Sequence, residues 1–155
     1  MESKPFDKGS NQLRKARNSE ENQVYFVTTT THNRQKIFTD FHLASKAIQG
    51  FTHPNTLKNN QLLCWVLMPD HAHWLIQLGT KTTLSQLISN MKAAATRQLR
   101  KQGFTQTVWQ ASFYDHALRK EEDLVQVARY IVANPLRANL VTSVGLYPYW
   151  DAVYL

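Results

Sequence analysis

Apolar positions recur along this 155-residue chain in two rhythms, one suited to strands and one to helices. "VYFVTTTT" (24–31) is dense in aromatic and β-branched residues and predicts a strand. "FTDFHLASKAIQGF" (38–51) sets Phe38, Phe41, Leu43, Ala44, Ala47, Ile48 and Phe51 at helical spacing, with Thr39 or Asp40 as N-cap. "QLLCWVLM" (61–68) is a short, nearly continuous apolar run, as expected of a central strand. Pro69 and Asp70 break it, and "HAHWLIQL" (71–78) returns as its partner. A long helix is predicted over "TLSQLISNMKAAATRQLRKQG" (83–103), capped by Thr82 or Thr83 and closed by Gly103. Its apolar stripe is Leu84, Leu87, Ile88, Met91, Ala95 and Leu99. "VWQASFYDHALR" (108–119) reads as a strand, and "EEDLVQVARYIVAN" (121–134) as a helix ended by Pro135.

The resulting order is β-α-β-β-α-β-α. Its economical solution is an α+β fold, an antiparallel sheet of the ferredoxin-like type with helices packed on it. Residues 1–22 are polar and carry Lys4, Lys8, Arg14, Lys15 and Arg17, which predicts a flexible basic arm. Residues 23–155 are expected to form one domain with a single core, for which 43% hydrophobic and 11% aromatic residues suffice. The formal net charge of +7 suits a polyanionic partner, of which nucleic acid is the commonest in a cell. Cys64 is the only cysteine, so a disulfide within the chain and a thiolate zinc cluster are excluded. Set among Leu62, Leu63, Trp65 and Val66, it reads as a small buried hydrophobe. The sequence shows no signal peptide and no run long enough to span a bilayer, so a cytoplasmic location without membrane contact is expected.

Chemistry concentrates in "MPDHAHWLI" (68–76). On a strand His71 and His73 point to one face, their Cα atoms roughly 6–7 Å apart. That is a workable separation for two ligands of one metal ion, and equally a pair of surface histidines. On the last helix, at 100° per residue from Leu124, Tyr130 and Asn134 fall within about 40° of each other on one edge of the apolar stripe. They would face a cleft beside the sheet, unless Tyr130 packs over the sheet and Asn134 caps the helix end. Converging, these residues suit phosphoryl chemistry: a tyrosine nucleophile and a divalent metal polarising the phosphate. Nitrogen and oxygen donors favour Mn²⁺, Ni²⁺ or Zn²⁺ over Mg²⁺ intrinsically, an order that cellular abundance can reverse.

The sequence resembles the REP-associated tyrosine transposases, relatives of the IS200/IS605 single-strand transposases. The resemblance runs from about Val24 to the C-terminus. It is carried by "YFVTTTTHNRQKIF", "MPDHAHWLI", "VWQASFYDHALRKEEDL", "ARYIVANPLRANLV" and "YPYWDAVYL", in that order. It implies that His71, His73 and Asn134 bind a divalent metal, Mg²⁺ or Mn²⁺, and that Tyr130 is the nucleophile. It further implies nicking and rejoining of single-stranded DNA at hairpin-forming palindromic repeats, through a 5′-phosphotyrosine. A domesticated protein that binds hairpins without cutting is the alternative, and a zinc hydrolase using water is a third reading. Arg34, Lys92, Arg97, Arg100, Lys101, Arg119 and Arg137 are candidates for phosphate contact. Trp109 or Tyr114 would stack an unpaired base, or belong to the core. Asp115 and His116 match the family block as neighbours of the site. Such a protein would be nucleoid-associated, as a monomer or a homodimer.

Overall fold

Val24–Thr30 forms β1, Gln61–Met68 β2, His71–Gln77 β3, Tyr114–Ala117 β4 and Trp150–Ala152 β5. The computed structural model describes residues 22–119, 122–153 and 155. The basic arm expected over residues 1–22 therefore lies, Asn22 apart, outside the described residues. The strands make one sheet in the order β4-β1-β3-β2-β5, every neighbour antiparallel. With helices α1 (Phe41–Phe51), α2 (Leu84–Lys101) and α3 (Leu124–Val132) in the connections, this is the expected ferredoxin-like α+β plan with one strand added.

Local chemistry explains the boundaries. The Asp40 carboxylate accepts from Leu43 N at 3.0 Å, so α1 begins at Phe41 and Ile37–Thr39 winds separately as a 3₁₀ turn. Thr83 and Gln86 form a reciprocal capping box at the head of α2. Gly103 follows its end at φ 86°, the left-handed conformation glycine adopts without cost.

Three elements differ from the sequence expectation. The strand expected over 108–119 is confined to Tyr114–Ala117, with one bridge from Trp109 to Thr31 upstream. The cause is distant: Lys92 Nζ on α2 donates to the carbonyls of Gln110 and Ser112, at 2.9 and 3.0 Å, and draws that stretch off the ladder. The last helix is shorter than 121–134. Asp123 caps it by accepting from Val125 N at 2.9 Å. Pro135 denies it continuation, and Asn134–Arg137 forms a separate turn. Strand β5 was not expected at all; it pairs Trp150, Asp151 and Ala152 with Val66, Trp65 and Cys64.

Alternation divides the sheet's residues between two cores. One face carries Tyr25, Val27, Leu67, Ala72, Trp74 and Ile76 beneath α1 and α2. These two helices touch closely at Gly50, where a Cβ would stand 2.6 Å from the Ala94 carbonyl oxygen. The predicted stripe of α2, from Leu84 to Leu99, is buried throughout. The other face carries Phe26, Cys64, Val66, Met68 and Leu75, against Val127, Ala128, Ile131 and Val132 of α3. Cys64 is fully buried, as its neighbours in the sequence suggest.

Candidate functional site

His71 and His73 lie on the α3 face of β3. The register sets His73 between Thr28 and Val66, and His71 between Thr30 and Met68. Their ring centroids are 4.8 Å apart with planes at 74°. His73 is fully buried and stacks on Phe26 at 5.2 Å, whereas the His71 side chain keeps 16% of its surface exposed. Access to the pair is therefore from the end of the sheet where β2 turns into β3.

Both rings are fixed through Nδ1. Thr28 Oγ1 and His73 Nδ1 share a hydrogen bond of 2.9 Å. His71 Nδ1 donates to Asp70 Oδ1 at 2.7 Å. The outer oxygen of Asp70 meets the Arg34 guanidinium, with Nε at 3.4 Å. Partial burial works to raise the Asp70 carboxyl, but the hydrogen bond and charge of His71, with the charge of Arg34, outweigh it and hold it below the usual carboxylate range. Arg34 reaches Asp70 from a turn in which Asn33 and Arg34 both have positive φ, 55° and 53°. Thr31 braces that turn by donating its hydroxyl to the carbonyls of Gln35 and Asp70.

With Nδ1 engaged on each ring, Nε2 is the nitrogen that would meet a metal. A ligating histidine held at its other nitrogen by a carboxylate or hydroxyl is the usual supporting arrangement. The residues present thus fit a divalent ion. Among the described residues no group of three His, Cys, Asp or Glu is placed to hold a metal, Asp70 being engaged by His71 Nδ1, so further protein donors would be neutral oxygens.

Tyr130 and Asn134 are carried to the same face by α3 and the turn after it, both half-buried. The Arg137 guanidinium lies over the Tyr130 ring, Cζ 3.8 Å from its centroid, and Nη2 donates to the Tyr130 carbonyl at 2.7 Å. Asn134 is not spent on capping. Ala133 occupies the N-cap of its turn without a side-chain bond, and the Asn134 amide makes no hydrogen bond among the described residues.

The other expected site residues disperse. Asp115 pairs with Val27, so its buried carboxylate points to the α1–α2 face and away from the histidines. His116 shares the histidine face, where Nε2 meets Glu122 Oε1 at 3.0 Å; the same oxygen accepts from Arg119 N. Trp109 is 8% exposed, wedged between Phe38 and Trp74, and its indole donates to the Lys92 carbonyl, so it belongs to the core. Tyr114 is half-buried against the α3-side core. Lys92 and Arg100 tie α2 to neighbouring loops, Arg100 through the carbonyls of Phe104 and Gln106. Lys101 and Arg119 are exposed, and Arg97 lines a 230 Å³ cavity with Lys58 and Asn90. Thr28, Asp70 and Glu122 were not anticipated. Asp70 was signalled by adjacency to His71, whereas Thr28 became visible only through the register.

The fold is thus an antiparallel α+β sheet that carries two anchored same-face histidines and is overlaid by a helix bearing a tyrosine. The chain belongs to the IS200-like transposase family, whose profile matches residues 19–134. An Escherichia coli K12 protein, a REP-associated tyrosine transposase, is 27% identical, covering 81% of this chain and 74% of the relative. An uncharacterized Haemophilus influenzae protein is 26% identical over 72% of this chain and 79% of its own length. The solved structure of a REP-associated tyrosine transposase bound to a REP hairpin shares the fold. Its TM-score is 0.69 at 23% identity, over 86% of this chain and 79% of that one. Among the described residues no helix is long and apolar enough to cross a membrane.

Proposed function

We propose that this transposase nicks and rejoins single-stranded DNA at hairpin-forming repeats, with Tyr130 as nucleophile. The observation that carries the reading is the convergence on one sheet face of two histidines anchored through Nδ1 and the helix bearing Tyr130. His71, His73 and Asn134 would hold a divalent metal, Mg²⁺ or Mn²⁺. Bound there, such an ion supplies Lewis-acid polarisation of the scissile phosphate and neutralises charge that develops on it.

In the step proposed for this chain, Tyr130 Oη attacks phosphorus and its proton passes to solvent. The bond from phosphorus to the 3′ oxygen breaks, and that oxygen leaves as a 3′-hydroxyl after taking up a proton. The 5′-phosphate stays on Tyr130, and attack by a 3′-hydroxyl reverses the step. The phosphodiester energy is conserved in the link, so no nucleotide cofactor is needed. Arg137 holds the ring through its stack and sets a fixed cation beside the incoming phosphate. Support for a hairpin substrate comes from the structural relative, which is bound to a REP hairpin, and from the net charge of +7. A water-using zinc hydrolase would need a general base, and the carboxylate beside the histidines, Asp70, is engaged by His71 Nδ1 and Arg34.

Hairpin oligonucleotides made from the repeats that flank the gene, incubated with Mn²⁺ or Mg²⁺, should give a covalent protein–DNA adduct in denaturing electrophoresis. Tyr130→Phe should abolish it while retaining hairpin binding. An adduct that survives Tyr130→Phe removes Tyr130 as nucleophile. Tight binding without cleavage under either metal selects the hairpin-binding alternative.

A further inference from the structure

Among the described residues Phe41 is the one aromatic in the set of exposed large hydrophobics, with 69% of its surface open. A phenylalanine opening a helix could equally have folded inward, as Phe38 does three residues earlier at 1%. Phe41 instead stands against Tyr149, ring centroids 6.2 Å apart and planes at 41°. Tyr149 in turn meets Tyr147 edge-on at 5.4 Å. The three rings make a staircase that rises from the buried Tyr147 through the half-buried Tyr149 to the open face of Phe41.

The staircase is rigidly placed. Tyr147 Oη donates to the Leu67 carbonyl at 2.7 Å, and Leu67 N donates to the Tyr149 carbonyl at 2.9 Å. Phe38 N donates to the Pro69 carbonyl at 3.1 Å, fixing the segment that leads into α1. Leu67 pairs across β2–β3 with Ala72, the residue between the two histidines. The steps therefore sit at the same end of the sheet as Asp70 and His71, about two strand spacings, roughly 10 Å, to one side.

The turn that leads to Phe41 carries two cations and one acid. Arg34 is 63% exposed in its side chain at the Asp70 corner, and Lys36 is exposed on the turn that precedes Phe41. Asp40, the acid beside Tyr149, is turned to the helix N-terminus, where it accepts from Leu43 N.

We infer that Phe41 and Tyr149 form a stacking step for an unpaired nucleobase, with Arg34 and Lys36 beside the backbone phosphates. The occupant is the single-stranded flank of the hairpin, so the inference rests on the DNA reading above. An aromatic face accepts any base, because every base has a π-face. The step thus contributes affinity for single strand over duplex and carries no base preference.

The test compares a blunt hairpin oligonucleotide with the same hairpin carrying six-thymidine flanks at both ends. Binding to the full chain is read by fluorescence anisotropy without added metal, so the result does not depend on cleavage. The flanks should tighten binding by wild type by about 5- to 150-fold, the range of one base–aromatic stack. Phe41→Ala should lose most of that gain, Phe41→Trp should keep it, and with wild type abasic flanks should lose most of it, keeping only the share due to their phosphates. All three proteins should bind the blunt hairpin equally, which also reports that the variants fold. An equal flank gain in wild type and Phe41→Ala, or no gain in wild type, overturns the stacking step and leaves hairpin binding intact. Wild type that binds neither oligonucleotide overturns the DNA reading and the step with it.

Discussion

Trp74 and His73 are consecutive on β3, both wholly buried, and face opposite sides of one sheet. Trp74 is surrounded by rings, Phe51 at 5.3 Å and Trp109 at 6.3 Å, in the core beneath α1 and α2. Its indole N–H meets no acceptor among the described residues, so it contributes packing alone. His73 is stacked on Phe26, but it is also oriented through Nδ1 by a threonine one strand away. One face is arranged to exclude water, the other to hold imidazoles in a set pose. A residue kept for its pose is seldom the best choice for stability at its position. The two faces should therefore respond differently to truncation, although burial is the same.

The largest difference is expected in stability. Trp74→Ala removes a buried bicyclic ring from a close-packed face and should cost about 3–5 kcal/mol in urea unfolding. Trp74→Phe should recover much of that, because it keeps ring area and drops a buried donor without a partner. His73→Ala should cost clearly less than Trp74→Ala while removing metal binding. If His73→Ala is as destabilising as Trp74→Ala, the histidine face is structural and the contrast between the faces collapses.

A smaller effect separates orientation from ligation within the histidine face. Asp70 fixes His71 through Nδ1. Asp70→Ala should weaken Mn²⁺ affinity about 10- to 100-fold, the usual consequence of losing an outer-shell partner. Asp70→Asn keeps an acceptor for Nδ1–H and should fall between the two. Calorimetric titration of the three proteins measures this, and indistinguishable affinities would show that Asp70 does not set the pose of His71.

The difference between the faces was partly legible in the sequence. Alternation alone placed His71 and His73 on one side with Ala72 on the other, and the cap candidates Thr39 or Asp40 and Thr82 or Thr83 marked the helix starts to within a residue, because each is a local rule. Alternation also separates Asp115 from His116. Reading them as one block from the family motif hid the fact that the carboxylate enters the opposite core. What failed was non-local. The strand over 108–119 kept a strand-like composition, but Lys92, some twenty residues upstream, took its carbonyls. Strand β5 is three residues long and follows Pro148, too short to show a period. The Thr28–His73 bond depends on register between strands 45 residues apart. The Arg137 stack on Tyr130 depends on the turn that Pro135 imposes.

The smallest expected effect tests whether the histidine face is uniformly polar. Cys64 lies on that same face, yet its thiol is sealed under α3, with Sγ 3.7 Å from the Ala128 carbonyl oxygen. Burial, with a lesser contribution from the negative charge of Asp151, pushes the thiol from 9.0 up to about 12. Between those values the unfolded chain loses the proton and the folded chain keeps it, so the unfolded state binds fewer protons and stability falls as pH rises. The contribution is fully present below pH 9 and is progressively lost above it. Raising the pH from 8 to 10 should therefore cost wild type about 1 kcal/mol more than it costs Cys64→Ala. Urea midpoints for both proteins under reducing conditions provide the measurement, and other titrating groups, such as the buried Tyr147, cancel between them. Equal losses would mean that water reaches Cys64, and that the α3 face is open well beyond its histidines.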